Sequence, residues 1–242
     1  ISKRCVHRNN RICQKKIHGT SFNNYKNMKV NTNNIEELFN QRGSTQTSWG
    51  MQIKLGVESQ RSHPTYVAQL NAKAQRESHE HSFTQEIFVI SGTIKINSRE
   101  GLLEASQGQL VIIPGGQKHA VSSEQGAFVA TFFHENEQGY TGNPFIVDDE
   151  FLKTIMSSDA NQKHDTLCWS LRGSKTFLAK IEQGKRSERH FHEHVEQEAI
   201  ILQGEGTTTI GTKEFEITAG DLLLTPKGFF QQTTATTELL ML

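Results

Sequence analysis

The sequence is poor in the residues that mark secreted and membrane-spanning proteins. It has 242 residues but only four Pro and three Cys, namely Cys5, Cys13 and Cys168. Three scattered Cys cannot form a disulfide framework, so we predict a cytoplasmic protein in a reducing compartment. No apolar run approaches the roughly 18 residues that a membrane helix needs, and the N-terminus lacks the apolar stretch of a secretion signal. We therefore expect no membrane as a partner.

Acidic residues are absent from residues 1–27, which hold seven Lys or Arg. Because the whole chain has zero net charge, the remainder carries 19 basic against 26 acidic residues. This negative balance argues against a nucleic-acid surface on the folded part, so we expect no nucleic acid as a partner. A nucleic-acid arm is one interpretation of the basic leader. We favour a disordered or non-native extension, because the chain opens with Ile and its first Met is Met28.

The most informative feature that is present is an internal repeat with a constant offset of 112 positions. Five pairs of equivalent residues are identical and one changes from His to Gln; the pairs are Gln85 and Gln197, Gly92 and Gly204, Gly108 and Gly220, Pro114 and Pro226, Gly116 and Gly228, His119 and Gln231. A repeat of this length predicts two similar domains. Alternate histidines precede each copy, His79 and His81 in the first and His190 and His192 in the second. Histidines that recur in this way indicate a metal site.

Short runs of alternating apolar and polar residues, separated by Gly, Ser and Asn turns, predict an all-β fold. Two short helices are predicted, at 31–41 and 148–156, and the second begins with two acidic residues. By the repeat offset, 128–130 correspond to 240–242, so we expect a truncated last strand. The predicted organisation is a leader at 1–27, a short helix at 28–45, an N-terminal barrel at 46–134, a linker with a short helix at 135–165 and a C-terminal barrel at 166–242.

Both copies of the repeat resemble the paired signature of the cupins. The first copy reads His79-x-His81-x3-Gln85-x6-Gly92 and then Gly108-x5-Pro114-x-Gly116-x2-His119. The resemblance covers residues 46–242 and implies a bicupin, with two tandem jelly-roll barrels (double-stranded β-helices) that hold metal inside. The chain departs from the family pattern at Lys73, where Gly is usual, and at Gln85, where Glu is more common.

The positions of these residues agree with ligation in the first barrel. His79 and His81 are two apart, so on an extended chain both side chains leave the same face. Gln85 on the next strand and His119 on a third can converge with them inside a barrel and leave positions open for substrate. Glu86 is the alternative to Gln85. Strand alternation places Glu86 on the opposite face, so we favour Gln85.

The second barrel offers His190, His192, Gln197 and Gln231, with His194 as a further histidine on the same face. Gln is a poorer ligand than imidazole. Two interpretations therefore stay open. Either this site binds metal through the four residues, or it has lost its metal and has a structural role.

A ligand set of three His and one Gln is neutral, so a divalent ion keeps its full charge for polarising an anionic, oxygen-rich substrate. Imidazole suits Fe, Mn, Co, Ni, Cu and Zn alike, and we expect one divalent transition metal in each active barrel. The chain is similar in length and ligand spacing to the bicupin isomerase of the bacilysin pathway, which implies a metal-dependent isomerase that acts on a small organic acid. It also resembles the bicupin dioxygenases, which implies O2 activation as the alternative.

A non-catalytic small-molecule-binding or sensor cupin is the alternative from another class. Storage-type cupins generally lack the ligand histidines, which this chain keeps. A sensor usually adds a DNA-binding helical domain, which the 27-residue leader and the one short helix after it cannot supply. The resemblance also implies a homodimer.

The sequence offers three candidate substrate contacts, Tyr66, Arg76 and Lys180, although nothing in the sequence separates them from ordinary exposed residues.

Overall fold

The computed structural model of the protein describes residues 29–31, 33–42, 44–55, 65–134, 142–170, 176–194 and 196–242. The predicted leader with Cys5 and Cys13, the first methionine, Met28, and part of the predicted linker, 135–141, lie outside these residues. The described chain forms strands that pair in antiparallel fashion and two helices. The predicted all-β class is therefore confirmed. No helix among these residues is long and apolar enough to cross a membrane.

The N-terminal segment contains a short strand as well as the predicted helix. Strand β1 is Lys29–Val30 and helix α1 is Ile35–Arg42. The helix begins four residues later than predicted, because side chains hold the preceding residues in a turn. The Asn34 Oδ1 atom accepts from the Asn31 backbone N–H at 3.0 Å, and Asn31 Oδ1 accepts from the Asn33 N–H at 3.0 Å. Asn side chains that bond locally in this way compete with helix formation.

The first barrel is built around one long strand that belongs to both of its sheets. Its strands are β2 (Thr45–Thr47), β3 (Gly50–Leu55), β4 (Thr65–Leu70), β5 (Ala74–Gln75), β6 (Thr84–Ser98), β7 (Gly101–Ser106), β8 (Leu110–Ile113), β9 (His119–Ser123) and β10 (Ala127–His134). The first half of β6 pairs with β8 and β10, and the second half pairs with β7 and β9. Gly92 lies where the strand passes from one sheet to the other. It has φ of 81°, and a Cβ there would lie 2.4 Å from the Gly126 carbonyl oxygen.

The second barrel repeats this plan after a short connection. The connection contains β11 (Phe145–Val147) and α2 (Asp149–Met156), whose N-cap Asp148 accepts from the Phe151 N–H at 2.8 Å. The predicted helix at 148–156 is thus found with the expected acidic start. The strands of the second barrel are β12 (Asn161–Lys163), β13 (Thr166–Ser170), β14 (Phe177–Ile181), β15 (Gln197–Gln203), β16 (Glu205–Ile210), β17 (Lys213–Thr218), β18 (Leu222–Thr225), β19 (Gln231–Ala235) and β20 (Leu239–Met241).

The two barrels exchange short strands. β1, which precedes the first barrel, pairs with β18 of the second, and β11, which precedes the second barrel, pairs with β8 of the first. Val30 lies opposite Leu222, and Val147 lies opposite Leu110. Since Leu110 and Leu222 are equivalent in the repeat, the exchange follows the internal symmetry.

One hydrophobic core joins the barrels. It contains residues from the outer faces of both, Phe88, Leu110, Ile112 and Phe132 from the first and Leu178, Ile200, Leu222 and Leu240 from the second. Leu38 of α1 and Leu152 of α2 pack into the same cluster. Each barrel also has its own interior cluster. The barrels therefore pack sheet against sheet, and the outer faces of their central strands are buried.

Lys73 keeps the backbone conformation of the glycine that it replaces. Its φ is 61°, and its counterpart Gly184 has φ of 76°. Both precede the first histidine of their repeat. The left-handed turn is therefore retained in the first barrel even though a side chain must adopt it.

Candidate metal centre

Three histidines of the first barrel lie together on its inner side. The backbones of His79 and His119 exchange two hydrogen bonds of 2.9 Å. His81 joins them, and the potential ligand atoms of the three side chains all lie within 4.8 Å of one another. His119 is completely buried, whereas His79 and His81 are partly exposed. The cluster therefore has one open side, from which a small molecule can approach.

Each of these imidazoles is held by a backbone carbonyl two residues away. Nδ1 of His79 bonds to Glu77 O at 2.9 Å, Nδ1 of His81 to Phe83 O at 2.7 Å, and Nδ1 of His119 to Gln117 O at 2.9 Å. A carbonyl oxygen only accepts, so Nδ1 carries the proton in all three rings. Nε2 of each neutral ring is then left with a lone pair. This is the arrangement in which a histidine binds a metal.

Gln85 completes the cluster from strand β6. It is 1% exposed, and its Oε1 lies 2.9 Å from Nε2 of His81 and 3.0 Å from Nε2 of His119. Glu86, the alternative considered from the sequence, lies on the other face of β6 and accepts from the Thr176 hydroxyl in the second barrel. The structure thus brings Gln85, and not Glu86, to the histidines.

The donor set fits a metal ion. With Nδ1 protonated, Nε2 of His81 and Nε2 of His119 both present lone pairs to the Oε1 atom of Gln85, which is also an acceptor. Such a group needs a shared cation, or an amide turned so that its nitrogen donates. Ligand atoms at right angles around an ion, with bonds of about 2.1 Å, lie about 3.0 Å apart. The distances around Gln85 Oε1 match that spacing.

Burial favours the neutral form of two of these histidines, His119 and His79. The pKa of His119 is lowered from 6.5 to about 4, first by burial, with smaller contributions from His79, His81 and Arg76 and against the opposing bond to the Gln117 carbonyl. The pKa of His79 is also lowered, first by burial and then by the charges of Arg76 and His81. A neutral imidazole is the form that binds a metal. His79 and His119 are therefore in the metal-binding form at neutral pH.

Arg76 is the cation that faces this cluster. Its guanidinium lies over the ring of Trp49, 5.0 Å from the ring centroid, and burial lowers its pKa. Within the described ranges no carboxylate forms an ion pair with Arg76. The sequence offered Arg76 only as one of three undistinguished contacts. The feature of the sequence that could have distinguished Arg76 from the other two is its position three residues before His79.

Aromatic rings border the cluster on the side of His81. The Phe83 ring stacks on His81 with 4.3 Å between centroids and a 5° interplanar angle. Phe133 meets Phe83 edge to face at 4.9 Å, and Tyr66 meets Phe133 in the same way at 6.3 Å. Phe83 and Phe133 have no sequence signal of their own, because their role depends on which strands become neighbours.

The second barrel brings its four candidate residues together in a different way. His192 Nε2 lies 2.7 Å from Gln197 Oε1, as in the first barrel. Gln231, however, turns its amide nitrogen inward, toward Nε2 of His190 at 3.0 Å and toward Gln197 Oε1. Its own Oε1 accepts from the Thr225 hydroxyl at 2.7 Å. The amide N–H groups thus occupy the centre that an ion would need, and these residues do not fit a metal in this conformation.

Two further candidates from the sequence, His194 and Lys180, face acidic residues outside the two ligand sets. The His194 side chain is 81% exposed and faces Glu193 at 3.7 Å. Lys180 pairs with Glu238 at 2.7 Å.

A cavity of about 560 Å³ opens beside the four candidate residues of the second barrel and reaches Glu86 and Phe132 of the first barrel. The buried Thr166 hydroxyl, which lines this cavity, has no hydrogen-bond partner in the described part of the chain.

Comparison with known proteins agrees with this architecture. Residues 40–137 match the family described as ChrR cupin-like domain, and residues 177–238 match the family described as cupin domain. Curated protein sequences give no significant match.

Solved structures share the fold at low identity. A variant of oxalate decarboxylase from Bacillus subtilis has a TM-score of 0.50 and 16% identity, and the match covers 93% of this chain and 77% of that one. A variant of salicylate 1,2-dioxygenase from Pseudoaminobacter salicylatoxidans has a TM-score of 0.55 and 13% identity over 74% of this chain and 69% of that one. The same dioxygenase with gentisate gives 0.62 and 11%, over 88% and 79%. The two family matches and the repeated barrel lead to one assignment: the chain belongs to the cupin superfamily and is a bicupin, with two cupin domains in tandem.

Proposed function

We propose that the protein is a metal-dependent enzyme that acts on a small, oxygen-rich organic acid in its first barrel. His79, His81, Gln85 and His119 would hold one divalent transition metal. The observation that carries the proposal is the convergence of three Nε2 atoms and Gln85 Oε1, with each Nδ1 held by a carbonyl. A purely structural cluster does not need three imidazoles in the same tautomer around one centre.

The neutral ligand set favours Lewis-acid chemistry. A bound divalent ion would polarise a carbonyl or carboxylate oxygen and stabilise negative charge that develops on the substrate. Because no ligand carries a negative charge, the ion would keep its full charge for this purpose. The hypothesis of an isomerase-like reaction, in which a proton is moved within a polarised 2-oxo acid, rests on this undiminished charge of the ion.

Arg76 is proposed as the anchor for the substrate carboxylate. A guanidinium that is half-buried and held over Trp49 is costly to keep without an anion. Its charge acts on both His79 and His119, so a carboxylate bound to it would lie beside the cluster. Arg also binds carboxylates through two parallel hydrogen bonds, which would fix the substrate's orientation.

The wall formed by Phe83, Phe133 and Tyr66 is proposed to pack against the planar part of the substrate. It would exclude water from one side of the cluster, where electrostatic interactions then act more strongly. A flat, conjugated acid fits such a wall better than a saturated one.

Oxygenation is the second candidate reaction. The fold resembles that of a salicylate 1,2-dioxygenase, and ligand sets with open positions also serve oxygenases. An aromatic or enediol acid would suit the same anchor and wall. The two reactions differ in one measurable respect, since only oxygenation consumes O2.

The second barrel is proposed to be metal-free, with a supporting role. Gln231 places its amide N–H groups where an ion would lie. The homodimer and the cytoplasmic location stay predictions.

The test is a substrate screen on protein reconstituted separately with Mn²⁺ and Fe²⁺. Unsaturated 2-oxo acids and hydroxybenzoates would be supplied with and without O2, and turnover would be followed by absorbance and by O2 consumption. Turnover without O2 supports isomerisation, and turnover only with O2 supports oxygenation. Absence of turnover, together with equally tight binding of these acids by metal-free protein, would replace the enzyme with a non-catalytic binding cupin.

A further inference from the structure

Two equivalent hydrogen bonds tie the barrels together across their interface. The Thr176 hydroxyl donates to the Glu86 carboxylate, with distances of 2.7 and 2.9 Å to its two oxygens. The Thr65 hydroxyl donates to Glu198 Oε1 at 2.9 Å. Glu86 and Glu198 are equivalent in the repeat, and Thr65 and Thr176 occupy matching positions at the start of β4 and just before β14. Each barrel therefore supplies a hydroxyl to the carboxylate of the other.

Each of these carboxylates follows a glutamine of a candidate ligand set. Gln85 and Glu86 are consecutive on β6, and their side chains leave opposite faces of the strand. Gln85 points to the histidines, and Glu86 points to the second barrel. Glu86 is 3% exposed, so its carboxylate depends on hydrogen bonds from protein groups. Gln197 and Glu198 repeat the arrangement on β15.

Gln85 is the ligand whose position depends most on its strand. The imidazoles of His79, His81 and His119 are each fixed by an Nδ1 bond to a carbonyl. The hydrogen-bond contacts of the Gln85 side chain within the described residues are those with His81 and His119 themselves. A contact that fixes the chain at Glu86 from outside the barrel therefore also sets where the Gln85 amide lies.

We propose that Thr176, a residue of the second barrel, is a positioning residue for the metal site of the first barrel and acts through Glu86 and Gln85. This inference rests on the proposed metal site. It assigns the second barrel a defined task, which is to support the ligand strand of its neighbour. The equivalent contact of Thr65 with Glu198 supports Gln197 in the second barrel. The Gln231 amide fills the centre beside Gln197. Because this barrel is proposed to be metal-free, loss of the Thr65 contact should not change metal binding.

This difference supplies a matched control. Thr176→Val and Thr65→Val each remove one hydroxyl from the same interface at nearly constant volume, and each leaves a carboxylate with one donor fewer, buried Glu86 in the first case and half-buried Glu198 in the second. Both should lower the melting temperature. Only Thr176→Val should weaken metal binding, by about 10-fold, as substitutions behind a metal ligand do. Thr176→Ser keeps a hydroxyl and should restore most of the affinity.

The experiment is a titration of the full chain and these three variants with Co²⁺, followed by calorimetry and by the visible d–d spectrum. The expected result is a higher Kd and an altered spectrum in Thr176→Val alone, with Thr176→Ser close to wild type. Equal Kd values in Thr176→Val and wild type, or equal losses in Thr176→Val and Thr65→Val, would overturn the inference. A wild-type chain that binds no Co²⁺ at all would overturn the metal site itself, which is a distinguishable failure.

Discussion

Gln231 donates a side-chain N–H to Nε2 of His190 at 3.0 Å, whereas His119, its equivalent in the first barrel, turns its own Nε2 toward Gln85 Oε1 at the same distance. The change from His119 in the first barrel to Gln231 in the second thus replaces an imidazole lone pair by an amide N–H donor at the centre of the candidate ligand set. In the first barrel the lone pairs are left for an ion. In the second barrel the Gln231 amide nitrogen lies against His190 Nε2 and Gln197 Oε1. The Thr225 hydroxyl donates to the oxygen of the same amide.

Gln231→His should therefore create a second metal site. A third imidazole would join His190 and His192 and remove the amide that closes the centre, so we predict that metal content rises from one ion per chain to two. Elemental analysis of the purified, reconstituted variant measures this directly. The reciprocal variant His119→Gln should lose the ion of the first barrel. A content that stays at one ion in Gln231→His would mean that more than this amide closes the second site.

Arg76→Gln should weaken the binding of a dicarboxylate without removing the metal. A hydrogen bond to a charged group contributes about 1.5–3 kcal/mol, so we predict at least about 10-fold weaker binding of oxalate to the metal-loaded protein, measured by calorimetry. Lys95→Gln is the control, because Lys95 pairs with Glu104 at 3.9 Å on a partly exposed surface. Equal oxalate affinity in Arg76→Gln and wild type would remove Arg76 from the substrate site.

Asp221→Ala should loosen the exchanged strand β1. Asp221 is completely buried and accepts from Asn31 Nδ2 at 2.6 Å, and it pairs with Lys29 at 3.2 Å. Loss of these bonds should lower the free energy of unfolding by about 2 kcal/mol or more, as measured by urea denaturation. Asp165→Ala, which removes an exposed pair of 3.9 Å with Lys185, should change it by less than about 1 kcal/mol. Similar losses in the two variants would contradict the anchoring role of Asp221.

Metal-free protein should lose stability in mild acid because of His119. The pKa of His119 is lowered to about 4 in the folded state, while the unfolded chain keeps a value near 6.5. Between about pH 6.5 and pH 4 the unfolded state binds more protons, so stability falls as the pH drops through this window. Urea denaturation of metal-free wild type and His119→Gln at pH 7.5, 5.5 and 4.5 measures the difference. The variant should show a shallower loss, and parallel curves would contradict the prediction.

The sequence predicted those parts of the fold that depend on local pattern. Helix α2 follows from the two acidic residues at its start, Asp148 and Asp149, and the barrels follow from alternation and the repeat. Strand β1 was not predicted, because Lys29–Val30 is too short to show a period and pairs with residues some 190 positions away. The turn at Lys73 kept its conformation without glycine, which residue type alone does not reveal.

In the candidate site, too, only the features that depend on local spacing were predictable from the sequence. The spacing of His79, His81, Gln85 and His119 was enough to predict which side chains meet, and alternation was enough to favour Gln85 over Glu86. The direction of the Gln231 amide was not predictable, because it depends on Thr225 and His190, which belong to other segments. The sequence listed Arg76 beside Tyr66 and Lys180 without distinguishing them, because only the folded chain brings Arg76 over Trp49 and beside the histidines.

A single metal site in the first barrel is tested most directly by the metal content of the purified chain, measured by mass spectrometry for wild type, His119→Ala and His192→Ala. We expect close to one ion per chain in wild type and in His192→Ala, and none in His119→Ala. One ion that is lost in His192→Ala and retained in His119→Ala would place the metal in the second barrel and contradict a metal site at His119.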